Sequence, residues 1–203
     1  MQNVITRELI DSSLTYEAYK SLVTKLIEEN RTTGRDQTEK NIDFTRLNDV
    51  RMRRIEKTTV ITDEACNIVK EIGRKVIFLV IAEAWCGDVA QNLPVISMMA
   101  EKCDRISLRI ILRDDNDEVM QKFLTNGGRS IPVLLVIDAD TLEVLGKWGP
   151  RPEPAQAMMR EHKRNPVEPY GEVSKRIQLW YAGDKGETLQ KELADFIKAL
   201  LTD

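Results

Sequence analysis

Apolar residues recur at helical spacing early in the chain. Tyr16, Tyr19, Leu22, Val23, Leu26 and Ile27 share one face and predict an amphipathic helix. The polar stretch from Asn30 to Asn41, with Gly34 inside it, predicts a loop. Phe44, Leu47 and Ile55 predict a second inward-facing helix, with Arg46, Arg51, Arg53, Arg54 and Lys57 on its solvated side. Thr62 followed by Asp63 and Glu64 is a helix start: the hydroxyl accepts from free N–H groups and the acids meet the positive end of the dipole. Ala65, Ile68, Val69 and Ile72 supply its buried stripe, and Gly73 is placed to end it.

The unbroken apolar run Val76 to Ile81 predicts a strand covered on both faces. Cys86 to Lys102 follows as a helix with Val89, Leu93, Ile96 and Met99 inward, then Ile106 to Leu112 as a second strand. Val119, Met120, Phe123 and Leu124 mark a short helix closed by Asn126, Gly127 and Gly128. Val133 to Ile137 and Leu142 to Leu145 are strands joined across Asp138 to Asp140, a connection short enough to make them antiparallel. Arg151 to Lys163 is a helix with Pro152 and Pro154 in its first turn. Beyond Arg164, Val173, Ile177, Trp180 and Tyr181 mark one more helix, and Leu189, Leu193, Phe196, Ile197 and Leu200 another.

This order predicts an α/β fold with one mixed central sheet and helices on both faces. The expected organisation is a helical N-terminal extension over residues 1–60, the sheet domain over 61–164 and a helical C-terminal extension over 165–203 packing on it. The apolar faces of the terminal helices need cover from the sheet domain, from each other or from a second copy in a homodimer. Trp148, Trp180 and Tyr181 are expected to anchor core or interface.

Composition narrows the function classes. Of 203 residues, 42% are hydrophobic and 31% charged, and the net charge of −3 argues against nucleic acid or an anionic membrane as partner. The longest strongly apolar run, Val76 to Ala82, is far below the roughly 20 residues needed to span a bilayer. The segment MQNVITRELIDSS has no apolar core for a secretion signal. Three cysteines, Cys66, Cys86 and Cys103, are too few and too scattered for a disulfide framework, so the expected setting is a reducing cytoplasm. One histidine, His162, leaves little for metal binding; it is expected on a helix surface, and no metal site is expected.

Candidate chemistry centres on Glu83-Ala84-Trp85-Cys86-Gly87-Asp88-Val89, where the buried strand gives way to a helix. A cysteine in that first turn meets unpaired N–H groups and the positive dipole end, which favour the thiolate. Gly87 leaves room for another chain to approach, Trp85 can wall one side of the sulfur, and Asp88 works against the thiolate if close to it.

Trp85-Cys86-Gly87 resembles the start of the thioredoxin motif Trp-Cys-Gly-Pro-Cys. Pro94 matches the family's helix-kinking proline, Ile131-Pro132 after Arg129 resembles its cis-proline loop, and Gly149 its glycine after the last strand. The likeness covers Thr62 to Lys163 and implies a thioredoxin-like fold. The family's second cysteine falls on Val89, its intervening proline on Asp88 and its buried strand acid on Val80. Asp114 resembles a family acid and is expected to cap the next helix.

The resemblance implies a monothiol thiol–disulfide oxidoreductase. Cys86 would be the catalytic residue, exposed at the helix start, with Trp85, Gly87, Asp88, Ile131 and Pro132 binding substrate. An external thiol would complete the cycle because Cys103 lies 17 residues on and Cys66 is expected as a buried structural thiol. No cofactor is expected beyond glutathione as a candidate thiol co-substrate. The expected partners are protein or low-molecular-weight thiols and disulfides. The alternative is a non-catalytic binding module that keeps the fold's peptide groove.

Overall fold

A computed structural model describes residues 4–201; residues 1–3 and 202–203, at the outer ends of the two expected extensions, lie outside the described residues. Among the described residues the order is α1 (Arg7–Ser12), α2 (Tyr16–Glu28), α3 (Glu39–Thr58), α4 (Asp63–Lys70), β1 (Val76–Ala82), α5 (Gly87–Ala100), β2 (Ile106–Leu112), α6 (Asp117–Lys122), β3 (Val133–Asp138), β4 (Val144–Trp148), α7 (Glu153–Arg164), α8 (Tyr170–Asp184) and α9 (Glu187–Leu201). None of these helices is long and apolar enough to cross a membrane.

The four strands form one sheet in the order β2-β1-β3-β4. β1 pairs with β2 in parallel, from Val76 opposite Ile106 to Ala82 opposite Leu112. The crossover between them is α5, as a parallel pair requires. β1 pairs antiparallel with β3, and β3 antiparallel with β4. Every residue of β1 is buried, so its apolar run is that of a strand covered on both faces. The fold is thus α/β and thioredoxin-like, with helical extensions at both ends.

The extensions share the sheet's core. Ile5, Tyr16, Tyr19 and Val23 from the start of the chain and Leu189, Leu193 and Ile197 from its end join one buried cluster with β1, α5 and β3. Leu14 exchanges backbone hydrogen bonds with Ile110 (2.9 and 2.8 Å), covering part of the outer edge of β2. α9 packs on α4, α5 and β4. It comes so close to β4 that a Cβ on Gly146 would stand 2.6 Å from the Phe196 ring. α7 and α8 enclose a separate small cluster of Ala155, Met159, Val173, Ile177 and Tyr181.

Local details depart from the sequence pattern. Phe44 and Leu47 are 38% and 44% exposed instead of buried. The inward face of α3 is Thr45, Asn48, Met52 and Ile55, half of it polar, so a hydrophobic stripe does not reveal it. α4 stops at Lys70, before Gly73, with Glu71 at its C-cap. β4 begins at Val144, because the Asp138 carboxylate accepts from the N–H groups of Asp140 and Thr141 and draws Leu142 into the turn at φ 62°.

Candidate functional site

β1 delivers the chain to the site through Glu83, Ala84 and Trp85. The Ala84 peptide is clamped from both sides: its N–H donates to Thr33 Oγ1 (2.8 Å) and its carbonyl accepts from Asn48 Nδ2 (2.8 Å). Cys86 follows as the N-cap of the 14-residue α5, with no side-chain cap bond of its own. Its Sγ donates to the carbonyl of Ile131 at 3.4 Å, on the loop whose Ile131–Pro132 peptide is cis. Trp85, Cys86, Gly87, Asp88, Ile131 and Pro132 therefore stand together around the start of α5.

The expectation of an exposed thiol fails. Cys86 is only 9% exposed. Burial pushes its thiol up to about 12, and the Asp88 charge adds to the rise, while the N–H groups of Val89 and Asp88 and the Arg151 charge pull the other way. The helix start does favour the thiolate, but desolvation wins. Gly87 likewise leaves no open approach. A Cβ there would meet Gln178 Nε2 of α8 at 3.0 Å and Arg51 Nη1 of α3 at 3.4 Å. The chain's own helices occupy the space that a substrate was expected to use.

Asp88 is the polar centre of this closure. Its carboxylate pairs with Arg151 Nη2 at 2.6 Å and accepts from the Tyr181 hydroxyl at 3.2 Å. Burial raises the Asp88 pKa above the ordinary carboxylate range, opposed by Arg151 and Tyr181. Burial also works against the Arg151 charge, but Asp88 outweighs it and leaves Arg151 firmly protonated. Asn92 Nδ2 donates to the Asp88 carbonyl (2.8 Å) and to the Tyr181 oxygen (3.0 Å), and Gln91 Nε2 donates to Gln178 Oε1 (2.8 Å). Tyr181 is therefore part of the site and not merely a packing anchor.

On the other flank, the Arg113 guanidinium lies 4.8 Å above the half-buried Trp85 ring. Arg113 Nε donates to Asp114 Oδ1 at 2.8 Å, and Arg129 approaches the same oxygen at 3.5 Å. Burial would raise the Asp114 pKa, but Arg113, the Arg35 N–H and Arg129 hold it low. Asp114 does not cap α6, whose N-cap is Asn116. Beneath lies Glu83, fully buried, its Oε1 accepting from the Asp114 N–H at 2.9 Å and its Oε2 without a partner.

The other cysteines are far from poised. Cys66 is half-buried on α4 and Cys103 buried past the distal end of α5; all three thiols are free. Fourteen residues of helix put roughly 20 Å between the two ends of α5. Val89, where a resolving cysteine would sit, is 1% exposed.

Sequence reasoning missed Arg151, Tyr181, Gln178, Asn48 and Glu83. One signal was present: Asp88 is the one charged residue of α5, and a buried carboxylate demands a cation. Which cation answers it depends on contacts across more than 60 residues, which local pattern does not carry.

The thioredoxin family model matches residues 34–164, which takes in α3 as well as the sheet. A comparison with curated proteins finds no match. Among solved structures, a protein of unknown function from Pseudomonas aeruginosa is similar at 18% identity with a TM-score of 0.61, over 95% of this chain and 96% of that one. An HIV epitope scaffold is similar at 17% identity with a TM-score of 0.55, over 92% of this chain and 99% of that one. At such identities the likeness is one of fold, but it runs through the terminal helices as well as the sheet.

Proposed function

This chain belongs to the thioredoxin family, and from that premise we propose that it is a thiol–disulfide oxidoreductase working through Cys86 as a monothiol. The observation that carries the reading is the seat of the sulfur. Sγ sits at the start of a 14-residue helix, 3.4 Å from the Ile131 carbonyl, with the Asp88 and Val89 N–H groups favouring its charged form. A developing thiolate is stabilised there by fixed dipoles, and the Ile131 backbone lies beside it where an extended substrate could pair.

In the first step the Cys86 thiolate attacks one sulfur of a disulfide. The Cys86–substrate bond forms as the old S–S bond breaks, and the displaced sulfur leaves as a thiolate that takes up a proton. Val89 offers no second thiol, so an external thiol, protein or low-molecular-weight, attacks the mixed disulfide. Cys86 leaves reduced and the external sulfur stays bonded to the substrate's. Glutathione is a suitable co-substrate of this kind.

Incubating the reduced chain with glutathione disulfide, followed by intact-mass and peptide analysis, tests the reading. One glutathionyl adduct on Cys86, absent from Cys86→Ser, is the expected result. No adduct on Cys86 would leave the second reading, a binding module that keeps the fold without the chemistry. That reading is favoured by the burial of the thiol and its pKa of about 12.

A further inference from the structure

The feature that most needs explaining is a family thiol roofed over by its own chain. The α7–α8 hairpin holds together through its own apolar cluster of Ala155, Met159, Val173, Ile177 and Tyr181, apart from the main core. It is bounded on one side by Gly149, at φ 122°, and on the other by Lys185 and Gly186, at φ 55° and 83°. Its attachment around the thiol is largely polar: Arg151 and Tyr181 on Asp88, Gln178 on Gln91, and Tyr181 on Asn92. Behind it, between α3, α5 and the α8–α9 turn, lies a cavity of about 340 Å³ lined by Ile55, Val95, Tyr181 and Leu189. The hairpin is therefore not packed tightly onto α5. Polar contacts over a cavity exchange for water at little net cost, whereas a well-filled apolar seam does not.

We propose that the α7–α8 hairpin is a hinged strap that closes over Cys86, latched at Asp88 and Gln91, and that Cys86 reacts when the strap swings away about Gly149 and Lys185–Gly186. This regulation rests on the thiol–disulfide reading above. In the closed form Gln178 covers Gly87 beside the sulfur, and Tyr181 and Arg151 hold the neighbouring carboxylate. Opening removes Gln178 from the approach and hydrates the sulfur. Desolvation is the largest cause of the raised thiol pKa, so hydration outweighs the loss of the favourable Arg151 charge. Full return to an ordinary thiol would speed nucleophilic attack by about 30-fold, because greater ionisation is partly offset by lower intrinsic nucleophilicity. The strap is also tied to α9, where the Glu153 N–H donates to Glu192 Oε1 at 2.6 Å; once that bond is exchanged for water, α9 keeps its own seat on α4, α5 and β4, so the strap can move without unfolding the sheet.

The test is iodoacetamide labelling of the full chain, read cysteine by cysteine by mass spectrometry. In a Gln178→Ala, Tyr181→Phe variant, Cys86 is expected to label at least about tenfold faster than in the parent, with Cys66 and Cys103 unchanged. Leu179→Ala, on the outer face of α8 where the side chain is 72% exposed, serves as the control and should leave the Cys86 rate as it was. An unchanged Cys86 rate in the double variant would overturn the strap, and so would equal acceleration of all three cysteines. Amide hydrogen exchange on the parent gives a second readout independent of folding defects. α7 and α8 should exchange as a block before α5, and equal protection would count against the hinge. The two ideas fail separately. Faster labelling without a glutathione adduct would keep the strap and remove the exchange activity. A Cys86 adduct in the parent with no labelling gain in the variant would do the reverse.

Discussion

Glu83→Gln should stabilise the protein, by an amount that grows with pH. Glu83 is fully buried. Its Oε1 accepts one hydrogen bond, from the Asp114 N–H at 2.9 Å, and its Oε2 has no partner. Both Oε2 and Asp114 Oδ2 crowd the place over Gly34, at 3.2 and 2.6 Å from where its Cβ would stand. Burial raises the Glu83 carboxyl above its ordinary value near 4.5, outweighing the Thr33 hydroxyl, the Asp114 N–H and the Arg113 charge that pull it down, while the Asp114 charge adds to the rise. A group whose folded pKa is raised contributes stability that is full below its unfolded pKa and is lost as pH climbs through the folded value. Glutamine keeps the acceptor for the Asp114 N–H, puts an N–H toward the Asp114 carboxylate and has no charge to lose. Relief of one unsatisfied buried polar atom is worth about 1–3 kcal/mol. The gain should therefore be about 2 kcal/mol near pH 8 and close to zero near pH 4.5. For a chain of this size that is a rise in Tm of about 4–8 °C at the higher pH. Urea denaturation followed by tryptophan fluorescence at the two pH values measures it. A variant less stable than the parent near pH 8, or a difference that does not change with pH, would refute the reasoning.

The remaining predictions concern the thiol and the seat of α9. Labelling of Cys86 should rise about tenfold per pH unit from near pH 7 to about pH 10 without levelling off, since its pKa lies at about 12; a plateau near pH 9 would mean that the thiol is hydrated in solution. Val89→Cys places a second sulfur one helical turn from Cys86, within the Cα separation of about 4.4–6.8 Å that a disulfide accepts, and should raise insulin reduction by dithiothreitol well above that of the parent, which is expected to be weak. No rise would show that the site lacks more than a second cysteine. Gly146→Ala forces a methyl against Phe196, 2.6 Å away before relaxation, and should cost about 1–3 kcal/mol in urea denaturation; an unchanged midpoint would mean that α9 is not held on β4.

The sheet was legible because its signals are local. An unbroken apolar run gave β1, the short polar connection beginning at Asp138 fixed an antiparallel hairpin, and Thr62 with two acids marked the start of α4. The cysteine, its tryptophan and glycine, and the Ile131–Pro132 loop were legible for the same reason: motif residues are identified by kind and spacing. The closure of the site was not. Gln178 and Arg51 meet over Gly87 from helices far apart in sequence, and the face of α3 that supports Ala84 is polar where a stripe search looks for apolar residues. Whether a thiol at a helix start is exposed depends on what folds back over it. Here residues roughly 65 to 95 positions later do so, and no local window contains that information.

The monothiol claim is tested most directly by the release of a preformed Cys86–glutathione disulfide, followed by intact mass as the concentration of an added thiol is varied. The account predicts a rate proportional to added thiol, falling to zero when none is present. Release without added thiol, accompanied by a disulfide from Cys86 to Cys66 or Cys103, would contradict it.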